Sequence, residues 1–214
     1  MTHRTVALLL AASLVGGCAY MDRKNLSAQN ASAVKQLCIS PNFDWNEKPM
    51  YDGRMDSMKT VTAVFGGGAI GGMMAAAASS GDRREIFAAL LKENGISAEE
   101  ITRATAAKML NQQGPFNGKV ATSGCDYTFT VRKGSDGISP IYGFINSYGV
   151  VLSGTARITD SSGQVIWERY KFVTPLTDNV ERHKEEEFFK NPELLRKAYE
   201  QAAGMVVGDW ISSM

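Results

Sequence analysis

Along most of the chain, apolar and polar positions recur with one of two periods, 3.6 or 2, and the switches between them mark out the elements. Ile86, Phe87, Leu90 and Leu91 share one face at helical spacing. Asp82 and Glu85 flank the start of that pattern, where carboxylates satisfy the free amides of a first turn, and Asn94-Gly95 supplies a stop. Ser97-Ala98-Glu99-Glu100 is a capping box that opens a second helix, predicted to run to Gln112 and to end at Gln113-Gly114-Pro115. Cys125 to Arg132 then alternates strictly, with Cys125, Tyr127, Phe129 and Val131 on one side, which predicts a strand with Cys125 pointing inward. Tyr148 to Thr159 and Gln164 to Thr174 predict two more strands, joined through Asp160-Ser161-Ser162-Gly163, a hairpin signal. Asn191-Pro192 predicts a cap and first position for a last helix, whose stripe of Leu195, Ala198, Tyr199, Ala202, Val206 and Trp210 must be buried. Val34 to Ser40 is a short strand candidate, followed by an irregular stretch rich in Pro, Asn, Asp and Trp.

That order predicts an α+β fold, a mostly antiparallel sheet of about four strands covered on one face by helices. Two segments follow neither period. Val61 to Ala78 reads VTAVFGGGAIGGMMAAAA, with five glycines, six alanines and no charge among eighteen residues. The other is the N-terminus, where Arg4 precedes the apolar run Val6 to Val15, of signal-peptide length and too short to span a bilayer.

Val15-Gly16-Gly17-Cys18 resembles the lipobox of bacterial lipoproteins. The resemblance implies diacylglycerol and N-acyl lipid on Cys18, and no other cofactor. Ala19 stands where an aspartate would resemble an inner-membrane retention signal, which implies the periplasmic face of the outer membrane. An ordinary cleavable signal, or a core helix with an incidental cysteine, is the alternative. The expected organisation is a signal peptide over 1–17, a lipidated cysteine and polar tether over 18–32, and one α+β periplasmic domain over 33–214. Residues 61–81 form a glycine-rich apolar insertion within it.

Charge narrows the partners. Removing residues 1–17 takes Arg4 and no acid, so basic residues fall from 23 to 22, against 22 acidic ones. A neutral chain has no electrostatic footprint for nucleic acid. The remaining two cysteines, Cys38 and Cys125, form an even pair in an oxidising compartment, where a disulfide is expected; two buried free thiols are the alternative.

From Asp82 onward the chain resembles a group of bacterial envelope lipoproteins, a match over about two thirds of its length. It is carried by Gly66 to Gly72 ahead of a helical pair, Cys125-Asp126-Tyr127, Tyr148 to Leu152, Asp160 to Trp167, and Asn191 to Leu195. More distantly the order is similar to periplasmic domains of envelope-assembly and transport-auxiliary lipoproteins. The resemblance implies partner binding and brings no catalytic residue.

Candidate chemistry is correspondingly sparse. Gly66, Gly68 and Gly71 satisfy G-x-G-x-x-G, yet two helices follow without the second strand and terminal acid that a dinucleotide fold needs. The same segment could enter a membrane, since Gly67 and Gly71, and Gly68 and Gly72, have the spacing at which helices pack closely. Gly and Ala gain little from hydrocarbon, so Gly66, Gly67, Gly68, Gly71 and Gly72 are expected to form an interaction surface. His183, among Arg182, Lys184 and Glu185 to Glu187, reads as part of a solvated charged turn; it is the only histidine after the signal, so no metal site is expected. Tyr142, Phe144 and Tyr148 form an aromatic stretch that is either a partly buried loop or a partner-binding rim.

The expected function is therefore a lipid-anchored, non-enzymatic protein that binds a protein partner or a second copy of itself. The alternative is a subunit of an envelope assembly or secretion complex that inserts residues 61–78 into a membrane. A hydrolase comes third, and would require a pocket with converging acids and a perturbed pKa.

Overall fold

The structure is a computed structural model that describes residues 23–46, 48–53, 82–141 and 147–214. Elements in chain order are β1 (Arg23–Lys24), α1 (Ala28–Ala33), β2 (Leu37–Ile39), β3 (Met50–Tyr51), α2 (Arg83–Glu93), α3 (Ala98–Gln112) and a 3-10 turn at Gly114–Phe116. There follow β4 (Val120–Ala121), β5 (Tyr127–Pro140), β6 (Tyr148–Asp160), β7 (Val165–Val173), α4 (Glu185–Lys190) and α5 (Pro192–Ser212).

The helix ends form as the caps predict. Asp82 accepts from Arg84 N at 2.9 Å, Ser97 Oγ from Glu100 N at 3.2 Å, and Asn191 Oδ1 from Leu194 N at 3.2 Å. Each contact satisfies an amide that the helix itself leaves unpaired. The predicted stripe of α5 is buried throughout, and the helix packs on β6, β7 and α3.

The class is α+β, but the sheet differs from expectation. It is mixed, with seven strands among the described residues in the order β1-β7-β6-β5-β2-β4, and with β3 paired to β5. β5, β6 and β7 form the antiparallel centre, whereas β2 and β3 run parallel to β5 and β4 runs parallel to β2. The stretch after β2 that reads as irregular is an interrupted strand along the outer edge of β5. Asp44 N donates to Val131 O at 2.9 Å, Asn46 N to Gly134 O at 2.8 Å, and Asp52 N to Ile138 O at 3.3 Å. Strands of two or three residues carry no readable period, so patterning alone could not count them.

β5 is also longer than predicted, because Lys133-Gly134-Ser135-Asp136-Gly137 looks like a turn. Here the glycines serve close approach. A Cβ on Gly134 would lie 2.1 Å from the Trp45 ring, and one on Gly137 would lie 1.9 Å from Met50 O. The bulge between Arg132 and Ser135 absorbs the extra residues.

The tether expected over 18–32 is corrected as well. Arg23 and Lys24 pair with Arg169 and Glu168 of β7, and Ser27 caps α1 by accepting from Asn30 N at 3.1 Å. The chain thus joins the sheet at Arg23, only five residues beyond Cys18.

One cluster of buried side chains runs through the described residues, centred on Phe129, Trp167, Tyr199 and Trp210 between the sheet and the helices. Phe129 sits between the two tryptophans, 6.4 Å from Trp167 and 6.1 Å from Trp210. Cys38 and Cys125 are bonded to each other, with their Cα atoms 5.5 Å apart. Cys125 precedes β5 and is half-buried, so it does not continue the inward face of Phe129 and Val131.

Candidate functional site

A cavity of about 370 Å³ opens between the β2–β3 connector, the α2–α3 turn and β5. Trp45 and Pro49 wall one side, Leu91 and Ile96 the other, Lys92 stands exposed on its rim, and Asp136 lines it. The volume falls in the range of small-ligand pockets.

Asp136 is only 6% exposed, and both its oxygens are engaged. Trp45 Nε1 donates to Oδ1 at 2.7 Å, and Tyr199 OH donates to Oδ2 at 2.8 Å. Burial pushes the carboxyl above its ordinary pKa, while the two donors pull it back. The same burial, with the neighbouring carboxylate, holds the Tyr199 hydroxyl well above its usual value. Of the other polar groups around the cavity, Glu99 Oε1 accepts from Phe43 N at 2.9 Å and Ser97 Oγ caps α3. The cavity thus holds one acid of raised pKa, and among its described lining residues the Ser97 hydroxyl is engaged at the α3 cap.

A second constellation stands where the chain leaves and re-enters the described fold around residues 54–81. Arg83 Nη1 donates to Gly53 O at 2.6 Å, which clamps the two ends together. Lys48 adds an ion pair to Glu85 at 3.0 Å and lies 3.8 Å from Asp82. Beneath them, Tyr51 donates to the buried Glu185 carboxylate and stacks on Phe87 at 5.5 Å. Burial and that carboxylate raise the Tyr51 pKa far above the ordinary tyrosine value, so the phenol stays protonated.

The sequence-derived candidates fall unevenly. Cys18, Gly66, Gly67, Gly68, Gly71, Gly72, Tyr142 and Phe144 lie outside the described residues. Tyr148 is 2% exposed at the start of β6, so its ring belongs to the core and not to a solvent-facing rim. Its backbone pairs with His183, the histidine in the charged turn, whose ring packs on Phe188 at 5.3 Å and lies 3.6 Å from both Glu181 and Glu187. Asp136 and Trp45 escaped the sequence reading because each lies in a stretch without a period. The paired glycines at 134 and 137 were the available signal.

No protein-family model matches the chain, and no curated protein matches it either. Among solved structures, the chain is similar to a minor lipoprotein from Acinetobacter baumannii, at 12% identity and a TM-score of 0.36, over 83% of this chain and 91% of that one. A likeness at that TM-score fixes neither fold nor function.

Proposed function

We propose that this chain is a lipid-anchored envelope protein without enzymatic activity, held at the periplasmic face of the outer membrane by Cys18. The glycine-rich segment 61–81, through Gly66, Gly67, Gly68, Gly71 and Gly72, engages a protein partner or a second copy. The observation that carries this is the clamp between Arg83 and Gly53 O, which closes the fold across the base of that segment. Tyr51 and Phe87, described on either side of it, belong to one buried cluster. Among the described residues no helix is long and apolar enough to cross a membrane, so attachment through lipid fits them.

Substituting Gly67→Leu and Gly71→Leu together should disturb association and leave the thermal midpoint unchanged. Sedimentation of the lipidated protein in detergent, with and without candidate partners, reads the first, and calorimetry reads the second. A lowered midpoint with unaltered association would assign the segment to the fold itself.

The anchor is tested separately. Cys18→Ser should move the protein from the membrane fraction to the soluble periplasm, folded and with its disulfide intact. Retention on membranes after a carbonate wash would mean that the lipid is not the principal attachment.

A further inference from the structure

We infer that one end of the sheet, presenting Phe172 and Leu176, lies against the bilayer that holds the lipid. The inference rests on lipidation of Cys18 and deepens that reading by assigning the domain an orientation.

Among the described residues, the large exposed apolar side chains are Met50, Tyr170, Phe172 and Leu176. Met50 and Phe172 fall in the same half of the sheet, Tyr170 stands opposite Thr155 near its middle, and Leu176 follows the end of β7. β7 ends at Val173, beside the start of β6, and β6 begins beside the end of β5, where Met50 pairs with Gly137. The opposite end is the polar hairpin at Asp160 to Gly163.

Tyr170 and Phe172 share the face of β7 that points away from α5. The intervening Arg169 and Lys171 reach Asp209 of α5, at 3.7 and 2.7 Å, and side chains alternate along a strand. Leu176 is 71% exposed, and its presentation is built. Thr177 N donates to Thr174 O at 2.9 Å, Leu176 N to Thr174 Oγ1 at 3.1 Å, and Arg182 Nε to Pro175 O at 2.8 Å. A leucine fixed outward by a turn of this kind gains nothing in water, and the exposed rings of Tyr170 and Phe172 on the preceding strand suit the interface of a bilayer.

The direction of the anchor selects the occupant. β1 is antiparallel to β7, with Arg23 opposite Arg169 and Lys24 opposite Glu168. Read from Lys24 to Arg23, the direction of β1 points along β7 toward Phe172. Five residues span at most about 18 Å, and Phe172 is about 10 Å along β7 from Arg169. The lipid is held within reach of this end, whereas the Asp160 hairpin lies on the far side of β1.

Because Cys18 is acylated and Cys38 is bonded to Cys125, a new cysteine is the sole free thiol. An environment-sensitive fluorophore on Asp178→Cys, beside Leu176, is compared with one on Ser161→Cys in the hairpin, using lipidated protein in phosphatidylethanolamine and phosphatidylglycerol vesicles. The expected result is a blue shift and quenching by shallow spin-labelled lipid at position 178 and neither at 161. Phe172→Ser with Leu176→Ser should return the position 178 signal to its aqueous value while the protein stays on the vesicles. Aqueous emission at both positions, in protein whose mass shows the acyl chains, overturns the orientation alone. Protein lacking those chains overturns the anchor first, and the orientation with it.

Discussion

Replacing Cys38 and Cys125 together with serine is expected to lower the unfolding free energy by about 4 to 5 kcal/mol in the chain-entropy account of disulfides. The bond closes a loop with a sequence separation of 87, which strongly restricts the unfolded chain. On the folded side it fixes β2, three residues that hydrogen-bond to β5 on one side and β4 on the other. Domains are commonly stable by about 5 to 15 kcal/mol, so the serine variant would be close to its threshold. Both cysteines are half-buried, and reduction by a small thiol should reproduce the effect without mutation. Urea unfolding of the oxidised, reduced and serine forms measures it. The m-value should also rise once the crosslink is gone, because the unfolded chain then exposes more surface. A loss below about 1 kcal/mol would mean that the bond does not act by constraining the unfolded state.

What could be read from sequence follows from the length of each pattern. α3 and α5 run for several turns with capping residues at their starts, and the β6–β7 hairpin has long alternating arms around Asp160, so period and punctuation agree. The outer edge of β5 offers no such agreement. There β2, β3 and the single bridge between Trp45 and Gly134 each involve too few residues to show alternation, and their pairing is set by tertiary contact. The same reason hid the candidate cavity. Its acid belongs to the part of β5 that looks like a turn, and its wall, Trp45, to a connector. Lysine, serine and glycine around Asp136 point to solvent in a sequence, yet the carboxyl is buried because Trp45 and Tyr199 close over it. Recognising that site required knowing that residues 91 apart in the chain are neighbours.

Asp136 also separates structural from ligand-binding roles for the cavity. Its folded pKa is raised by burial, so between the ordinary carboxylate value and the raised one the folded state holds more protons than the unfolded chain. Stability from this group is therefore full at low pH and falls as pH rises through that window. In Asp136→Asn the side-chain carbonyl can still accept from Trp45 Nε1, but the amide can only donate to the Tyr199 oxygen, so the buried charge is removed and the Tyr199 hydroxyl proton loses its acceptor. That variant should lie between the wild type and Asp136→Ala in stability, and its deficit against the wild type should shrink as pH rises through that window and then level off. Asp136→Ala differs in kind. It removes both acceptors and leaves the Tyr199 hydroxyl, at 0% exposure, with no route to water. A cost of about 2 to 4 kcal/mol is expected from the unpaired donor and the space left behind. Denaturant unfolding of the three proteins across pH decides the matter. If asparagine costs as much as alanine, the acceptor for the Tyr199 hydroxyl carries the contribution of Asp136. If alanine costs less than about 1 kcal/mol, the Trp45–Asp136–Tyr199 contacts do not hold the cavity wall in place.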